Sequence, residues 1–333
     1  MKGYILLAPV VGLCAAYPGM KSQMDEISEI VGRQAPQPST QLIGDLKTLS
    51  DSQLTTVGKN IKGILTVSGV PPTDTTTRYT PPSGGKDGAA CKADTCCIWS
   101  YIVTDMVAAF KGTSGRCTGL ARSAVRLGFH DAGTWSTSST FGGADGSILL
   151  TDEINRSDNN GLQNIATQTK AWYNTYKSYG VSMADLIQMG ANIATVVCPL
   201  GPRIRSFVGR KDNAKAGPTS LLPDVNDSAD KLIKLFQAKT IDPHDLVALV
   251  GAHTTSQQHH VNTARDGDPQ DSTPGVWDVK FYGETVGSAP PRVIKFASDI
   301  ALSKDSRAKD EWTGFINGQQ HWNSVRSIFH GIE

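Results

Sequence analysis

Apolar residues recur at helical spacing through most of this chain, whereas the alternation typical of half-buried strands is scarce. Ile98, Ile102, Met106 and Phe110 step by four, which places one apolar stripe on a helix expected to end near Lys111. Further helices, several opened by Ser, Asp or Thr, are predicted over residues 117–130, 162–178, 182–194, 228–238, 243–254 and 289–302. The pattern predicts a predominantly α-helical domain with long loops rich in Gly and Asp.

Length and charge exclude several classes of protein. The chain has 333 residues, 39% hydrophobic and 19% charged, with no block of like charge, as expected of a globular protein rather than a disordered chain or a coiled coil. The 32 Lys and Arg against 31 Asp and Glu give a net charge of +1 without a basic stripe. This balance argues against a nucleic-acid partner and against attraction to an anionic membrane.

The N-terminus has the pattern of a secretory signal peptide. Met1-Lys2 is followed by an apolar run that ends in Cys14-Ala15-Ala16, so cleavage is predicted to remove residues 1–16 and to yield an extracellular protein. A buried N-terminal helix is the alternative. Residues 17–85 are predicted to form an N-terminal extension with one or two amphipathic helices and a Pro/Gly-rich linker, and residues 86–333 the main domain.

Secretion makes disulfides the default state of the cysteines. Once a signal peptide is removed, the remaining cysteines are Cys91, Cys96, Cys97, Cys117 and Cys198. This odd number allows at most two intrachain bridges and leaves one thiol. The sequons that begin at Asn155 and Asn226 could carry glycans on a secreted protein.

Two histidines and two oxygen-rich loops are the candidates for chemistry. Arg126 and His130 stand at i and i+4 and so share one helix face, although an isolated pair of this kind is more often a surface Arg and a helix-ending His. Residues 142–147 put a carboxylate and a hydroxyl in a Gly-rich loop, as a hard cation requires. His253 follows an apolar helix, and residues 271–278 form a second oxygen-rich loop.

Taken in order, these motifs resemble the secreted fungal, or class II, haem peroxidases of the plant peroxidase superfamily, over about residues 90–317. The resemblance implies an all-α haem peroxidase fold in which two helical subdomains sandwich haem b, with two Ca²⁺ ions in long loops. It also implies a secreted enzyme that reduces hydrogen peroxide to water and oxidises donors through a ferryl haem intermediate. We expect a monomer without membrane or nucleic-acid partners.

The resemblance assigns roles on both sides of the haem. His253 is implied as the axial ligand of the iron, with Asp299 as the carboxylate that accepts its other ring N–H. A carboxylate-bound imidazole is a stronger electron donor, which agrees with that pairing. On the distal side, His130 is implied as the base and Arg126 as the cation, while Phe129 walls the pocket.

A neutral His130 needs an acceptor on its other nitrogen. Asn159 matches the family residue that provides it, and Glu153 matches the acid that orients this Asn.

The two oxygen-rich loops match the calcium sites of the family. The distal ligands implied are Asp131, the carbonyl of Gly143, Asp145 and Ser147. The proximal ligands implied are Thr254, Asp271, Thr273, the carbonyl of Val276 and Asp278.

The same resemblance pairs Cys117 with Cys198 and Cys91 with Cys97. It leaves Cys96 free, because Asp310 stands where one family cysteine would be and no cysteine follows Cys198.

The class of electron donor is inferred from the specialised donor sites that the sequence lacks. The positions that hold manganese-binding carboxylates in the family are Gly119, Ser123 and His259 here, and Ala248 replaces the surface Trp of ligninolytic relatives. We therefore expect small, easily oxidised aromatic donors such as phenols at the haem edge. Residues that could serve as alternative radical sites are Trp135, Trp172 and Tyr173.

Two other classes compete with the enzyme. A secreted effector or binding protein could keep the fold without turnover, but the presence of Arg126, His130 and Asn159 together argues against it. A metal-dependent hydrolase built on His259 and His260 lacks a helical His-Glu-x-x-His arrangement.

Overall fold

A computed structural model describes residues 49–66 and 68–330, with the side chains of 327–330 excepted. The predicted signal peptide, residues 1–16, lies outside these residues, as does the first part of the predicted extension. Within the described part of the chain, no helix is long and apolar enough to cross a bilayer.

Helices build nearly all of the regular structure. In the described residues, the thirteen α-helices are α1 Thr56–Leu65, α2 Ala89–Ala93, α3 Cys97–Phe110, α4 Gly119–Ala132, α5 Ser147–Leu150, α6 Gln163–Tyr176, α7 Met183–Val197, α8 Ala229–Gln237, α9 Pro243–Val250, α10 Lys280–Val286, α11 Ala297–Lys304, α12 Lys309–Phe315 and α13 Gln319–His330. Extended pairing there is limited to three isolated bridges. The all-α fold class is confirmed.

The four-step stripe forms the buried face of α3. Ile102, Met106 and Phe110 are fully buried, and Lys111 ends the helix in an extended conformation. The short 3₁₀ turns lie mainly in loops, over Asp51–Gln53, Glu153–Asn155, Ser157–Asn159, Lys177–Tyr179, Gly251–Thr255 and Thr263–Arg265.

The prediction of one helix over residues 289–302 is wrong in its first half, because α11 begins only at Ala297. Pro290 and Pro291 supply no N–H to a helix, and the backbone of Ile294 instead donates to the carbonyl of Pro269 at 2.8 Å. The predicted helix over 243–254 is also shorter than expected, since α9 ends at Val250 and a 3₁₀ turn follows. Helix α10 was not predicted.

Helix α4 packs closely on the buried helix α7. A Cβ at Gly128 would lie 2.7 Å from the Cβ of Ala191, so only glycine allows this approach. The side-chain amide of Gln188 donates to the carbonyl of Gly128 at 3.1 Å, which fixes the two helices further. The face of α4 that carries Arg126 and His130 is thereby held on a rigid element.

A cluster of buried aromatic residues joins α9 to the C-terminal helices. Trp277 and Trp322 stack with ring centroids 5.0 Å apart, and Tyr282 meets both Trp312 and Trp322 edge to face. The indole N–H of Trp322 donates to the carbonyl of Ala248 in α9 at 2.9 Å. Aromatic rings bury large apolar areas, so this cluster fixes α9 and the turn that follows it.

The two disulfides implied by the resemblance are present, Cys91 with Cys97 and Cys117 with Cys198, and Cys96 is a free, exposed thiol. The Pro-rich stretch after α1 is bound by backbone pairing. The N–H of Asp74 donates to the carbonyl of Arg203 at 2.9 Å, and the N–H of Arg205 donates to Pro72 at 2.8 Å.

Candidate active site

Helix α4 presents Arg126 and His130 side by side. Its N-terminus is capped by the hydroxyl of Thr118, which accepts from the N–H of Ala121 at 3.2 Å. One turn separates the two side chains, and Nε of Arg126 donates to Nε2 of His130 at 3.1 Å. The imidazole can accept that hydrogen bond only if Nε2 carries a lone pair.

The hydrogen-bond partner of the other ring nitrogen of His130 fixes this tautomer. Nδ1 of His130 lies 2.7 Å from Oδ1 of Asn159, and the amide nitrogen of Asn159 donates to the backbone carbonyl of Glu153 at 2.7 Å. The amide oxygen can only accept, so the proton of His130 belongs on Nδ1. Glu153 thus orients Asn159 through its main chain, whereas its carboxylate accepts from the N–H of Gly217 at 2.7 Å and from Arg156 at 3.1 Å.

Burial keeps His130 neutral. Only 8% of the residue is exposed, and burial together with the charge of Arg126 lowers the pKa of His130 to about 3, against the opposing hydrogen bond to Asn159. Arg126 itself donates to the carbonyls of Asn160 at 2.7 Å and Asp158 at 2.8 Å. A neutral base and a fixed cation therefore share this pocket.

Phe129 closes one side of the pocket. Its ring meets that of His130 edge to face at 5.8 Å and stacks on Phe236 of α8 at 6.1 Å. The loop after α4 is tied down by Lys239, a buried residue whose Nζ donates to the carbonyls of Gly133 at 2.7 Å and Trp135 at 2.9 Å. Burial lowers the pKa of Lys239 to about 8. This role of Lys239 could not be predicted from residue type, since a lysine near a helix end is usually exposed.

The second histidine lies in the turn after α9. Helix α9 starts with the Asp242 cap and Pro243, and the 3₁₀ turn Gly251–Thr255 carries His253. Nδ1 of His253 lies 3.1 Å from a carboxylate oxygen of Asp299. The carboxylate accepts a hydrogen bond from Nδ1, so Nε2 is the nitrogen that can bind a metal.

The rings of Phe281 and Phe296 meet His253 edge to face at 5.5 and 5.7 Å and fix its orientation. This donor set suits haem iron.

The loop that follows His130 gathers the predicted distal calcium ligands. The carboxylate of Asp131 accepts from the N–H groups of Gly146 at 3.0 Å and Ile148 at 3.4 Å. Burial raises the pKa of Asp131 well above its usual range, and the charge of Asp145 adds to this rise. The buried hydroxyl of Ser147 has no hydrogen-bond partner among the described residues. A hard cation fits here, because it would balance the carboxylates and engage this hydroxyl.

The loop that follows His253 gathers the predicted proximal ligands in the same way. The hydroxyl of Thr254 donates to the carboxylate of Asp271 and lies 3.5 Å from the carbonyl of Val276. The hydroxyl of Thr273 donates to Asp278 at 2.8 Å. Burial raises the pKa of Asp271 to about 7, although the hydrogen bonds from Thr254 and Thr273 oppose the rise. The side chains of Thr254, Asp271, Thr273 and Asp278 offer only oxygen atoms as ligands, which again fits a hard cation.

The residues considered for donor oxidation lie in different settings. Ala248 is fully buried, and Trp172 is a core residue that meets Phe110 edge to face at 5.7 Å. His259 is exposed and lies 2.7 Å from the carboxylate of Asp266. His260 lies beside Gly161, where an added Cβ would be 3.3 Å from Nε2 of His260 and 3.5 Å from a guanidinium nitrogen of Arg126.

Comparison with known proteins identifies the family of this chain. The family model described as peroxidase matches residues 103–318. Ligninase LG5 of Phanerodontia chrysosporium is 31% identical over 258 residues, which cover 70% of this chain and 68% of that protein. Manganese peroxidase 3 of Phlebia radiata is 30% identical, with 70% of each chain covered, and a peroxidase of Arthromyces ramosus is 29% identical, with 72% and 73% covered.

Fold and sequence together define an all-α peroxidase, an oxidoreductase that acts on hydrogen peroxide. The chain belongs to the peroxidase family and, within it, to the fungal class II haem peroxidases.

Proposed function

We propose that this chain is a secreted haem peroxidase that reduces hydrogen peroxide to water with electrons from small phenolic or similar low-potential donors. The hydrogen-bond chain that runs from the Glu153 carbonyl through Asn159 to His130, with Arg126 beside it, is the observation that carries the proposal. It supplies a buried neutral base with a cation in contact beside it, and these are the two groups that cleavage of an O–O bond needs.

His253 would hold the haem iron through Nε2, with Asp299 as its hydrogen-bond acceptor. The acceptor increases the electron donation of the imidazole, which favours oxidised iron. When bound, haem would take up the oxygen atom that remains after the O–O bond breaks and supply the two electrons of that cleavage, which the donors then replace. The role of this chain is to bind the group, to exclude water and to move protons.

His130 would do the acid–base work. Its Nε2 lone pair would take the proton from one oxygen of hydrogen peroxide and deliver it to the other. The second oxygen then leaves as water. Arg126 stabilises the negative charge that develops on the departing oxygen. Asn159 keeps the ring in the required tautomer throughout, and Phe129 limits the pocket to a small peroxide.

Two calcium ions would stabilise the ends of the elements that carry these histidines. Asp131, Gly143, Asp145 and Ser147 would bind one ion, and the Thr254 to Asp278 set the other. Each set begins one residue after a haem-side histidine. Loss of either ion is therefore expected to loosen the haem pocket before the protein unfolds.

The donor class follows from which side chains line the positions used by specialised relatives. Gly119 and Ser123 offer no carboxylate, and Mn²⁺ prefers oxygen ligands that carry charge. Ala248 is buried and cannot transfer electrons from the surface. Small aromatic donors would therefore react at the haem edge.

The predicted signal peptide, and the secreted relatives of this class, support an extracellular location, with residues 17–85 as an extension and 86–333 as the catalytic domain.

The test is the absorption spectrum of the haem-loaded protein before and after one equivalent of hydrogen peroxide. We expect the ferric Soret band to drop and shift, and then to return when a phenol is added. Bleaching without recovery, or no haem binding at all, would contradict the proposal and would favour a binding protein that has kept the fold. Addition of Mn²⁺ in place of the phenol is the matched control, and we expect it to restore the spectrum poorly.

A further inference from the structure

Apart from the two haem-side histidines, three side chains converge at the junction of α9, α12 and α13. His244 is in the first turn of α9, Glu311 in α12 and His321 in α13. Nε2 of His244 lies 3.0 Å and Nε2 of His321 lies 3.4 Å from the same oxygen, Oε1 of Glu311. The nitrogen and oxygen atoms that could bind a metal all lie within 4.8 Å of one another.

The carboxylate of Glu311 is the unusual member. The residue is only 5% exposed, and neither carboxylate oxygen accepts a hydrogen bond from any described residue. Both imidazoles are near enough to donate, but neither ring aligns an N–H with the carboxylate. A buried carboxylate without hydrogen bonds costs free energy. A cation at the point where the two rings and the carboxylate meet would remove that cost.

A neighbouring carboxylate completes the arrangement. Nδ1 of His244 lies 3.3 Å from Oδ1 of Asp245. Histidines that bind metals almost always donate the other ring N–H to a carboxylate, a carbonyl or water, which fixes the tautomer and strengthens the ligand. Asp245 thus directs Nε2 of His244 toward the metal position.

The ligand types select the metal. Two imidazole nitrogens and one carboxylate suit Zn²⁺ and similar divalent transition ions, whereas Ca²⁺ and Mg²⁺ prefer oxygen alone. Three protein ligands leave a fourth position for water. The side chains of His244 and His321 are 21% and 22% exposed, so an ion can enter from solvent. We propose that His244, Glu311 and His321 form a binding site for a divalent transition ion of the Zn²⁺ type.

The site would act on stability rather than on the reaction. It would join α9, which leads directly into the turn that carries His253, to the two last helices of the described chain. An ion that binds only the folded protein stabilises it by mass action. We expect Zn²⁺ to raise the apparent Tm by several degrees and to leave the rate of reaction with peroxide unchanged.

The experiment uses the full-length, haem-loaded protein in excess Ca²⁺, so that the two calcium loops are not available to the added metal. Transition ions are first removed with 1,10-phenanthroline, which spares calcium, and Zn²⁺ is then titrated by calorimetry. We expect one tight equivalent. The zinc K-edge absorption spectrum, which haem iron does not mask, should show two imidazole nitrogens at about 2.0–2.1 Å together with oxygen donors.

His244→Asn and His321→Asn should each remove the tight phase, and Asp245→Asn should weaken binding by about 10–100-fold. His259→Asn is the matched control, because it removes an exposed histidine that also lies beside a carboxylate, and it should leave the titration unchanged. Because Glu311→Gln could impair folding, His321→Asn is the deciding variant, and its folding is checked by circular dichroism and the Soret band.

Absence of a tight equivalent in the wild type would overturn the proposal and leave the cluster as a set of ion pairs. Full affinity in both histidine variants would also overturn it. Neither result depends on peroxide turnover, so the zinc site and the proposed peroxidase function can fail separately.

Discussion

His130 and His253 each have one ring nitrogen held by a neighbouring side chain, but the partners differ in charge. Asn159 offers His130 a neutral amide oxygen at 2.7 Å, whereas Asp299 offers His253 a carboxylate at 3.1 Å. His130 is 8% exposed, whereas the side chain of His253 is 34% exposed. With a neutral partner, the imidazole can accept a proton and release it again. With an anionic partner, the imidazole is a stronger metal ligand. The same side chain thus suits two tasks, and its partner distinguishes them.

The largest expected effect comes from removing each imidazole in turn. His130→Leu should slow the reaction with peroxide by about 10²–10⁴-fold, the usual contribution of a general acid–base, while haem stays bound. His253→Leu should instead lose haem, because it removes the imidazole nitrogen proposed to bind the iron. Stopped-flow absorbance gives the rate, and the ratio of Soret to protein absorbance gives haem content. Near-normal peroxide reactivity in His130→Leu would contradict the assignment of the distal base.

Changing the partner of His253 tests the charge difference itself. Asp299→Asn keeps a side chain of the same shape but removes the negative charge, so Nε2 should donate less electron density to iron. We expect a more positive Fe(III)/Fe(II) potential, measured by spectroelectrochemistry in the presence of excess Ca²⁺. Asn159→Leu is the matched distal change, and it should slow the peroxide reaction and leave the potential nearly unchanged. If the two variants shifted the potential equally, the comparison between the two histidines would be wrong.

The two predicted calcium loops, one after His130 and one after His253, are expected to differ less than the two histidines do. Chelation of calcium should broaden the Soret band and lower activity before the helical circular dichroism changes. Ser147→Ala is the sharper test, because its hydroxyl has no hydrogen-bond partner among the described residues and its removal breaks no protein hydrogen bond there.

We expect Ser147→Ala to lower the chelator concentration needed for half inactivation and to have no effect in saturating Ca²⁺. Thr254→Val should lower stability even in saturating Ca²⁺, since its hydroxyl also contacts Asp271. An Ala variant with unchanged chelator sensitivity would exclude Ser147 as a ligand.

Spacing within one helix could be predicted, and contacts between distant backbone segments could not. Four residues along α4 place Arg126 and His130 on one face, and the two side chains are in contact. Glu153 matches a family acid that orients Asn159, but in this structure its backbone carbonyl makes the contact. The direction of a main-chain group in a 3₁₀ turn cannot be predicted from the residue type.

The overlong helix prediction over residues 289–302 has a different cause. The apolar spacing continues through Pro290 and Pro291, but proline supplies no N–H for helical hydrogen bonding, so the helix begins only at Ala297. The cluster around Glu311 was not predicted, because its ligands come from three helices that only tertiary packing brings together. The catalytic and metal-binding roles stay predictions that the variants above test.

The smallest expected effect concerns what holds each side in place. Buried aromatic rings fix α9 before His253, whereas hydrogen bonds hold the loop after His130, and the buried ammonium group of Lys239 donates two of them. Lys239→Met keeps the length of the side chain but leaves the carbonyls of Gly133 and Trp135 without this donor, which should cost about 1–3 kcal/mol.

For a protein of this size, Lys239→Met should lower the apparent Tm by roughly 2–4 °C per kcal/mol. Lys234→Met is the control from the same part of the chain, because its exposed ion pair with Asp230 is expected to contribute about 0.3–0.5 kcal/mol. Differential scanning calorimetry at matched Ca²⁺ would compare the two variants. Equal Tm shifts would mean that Lys239 contributes no more to stability than an exposed ion pair does.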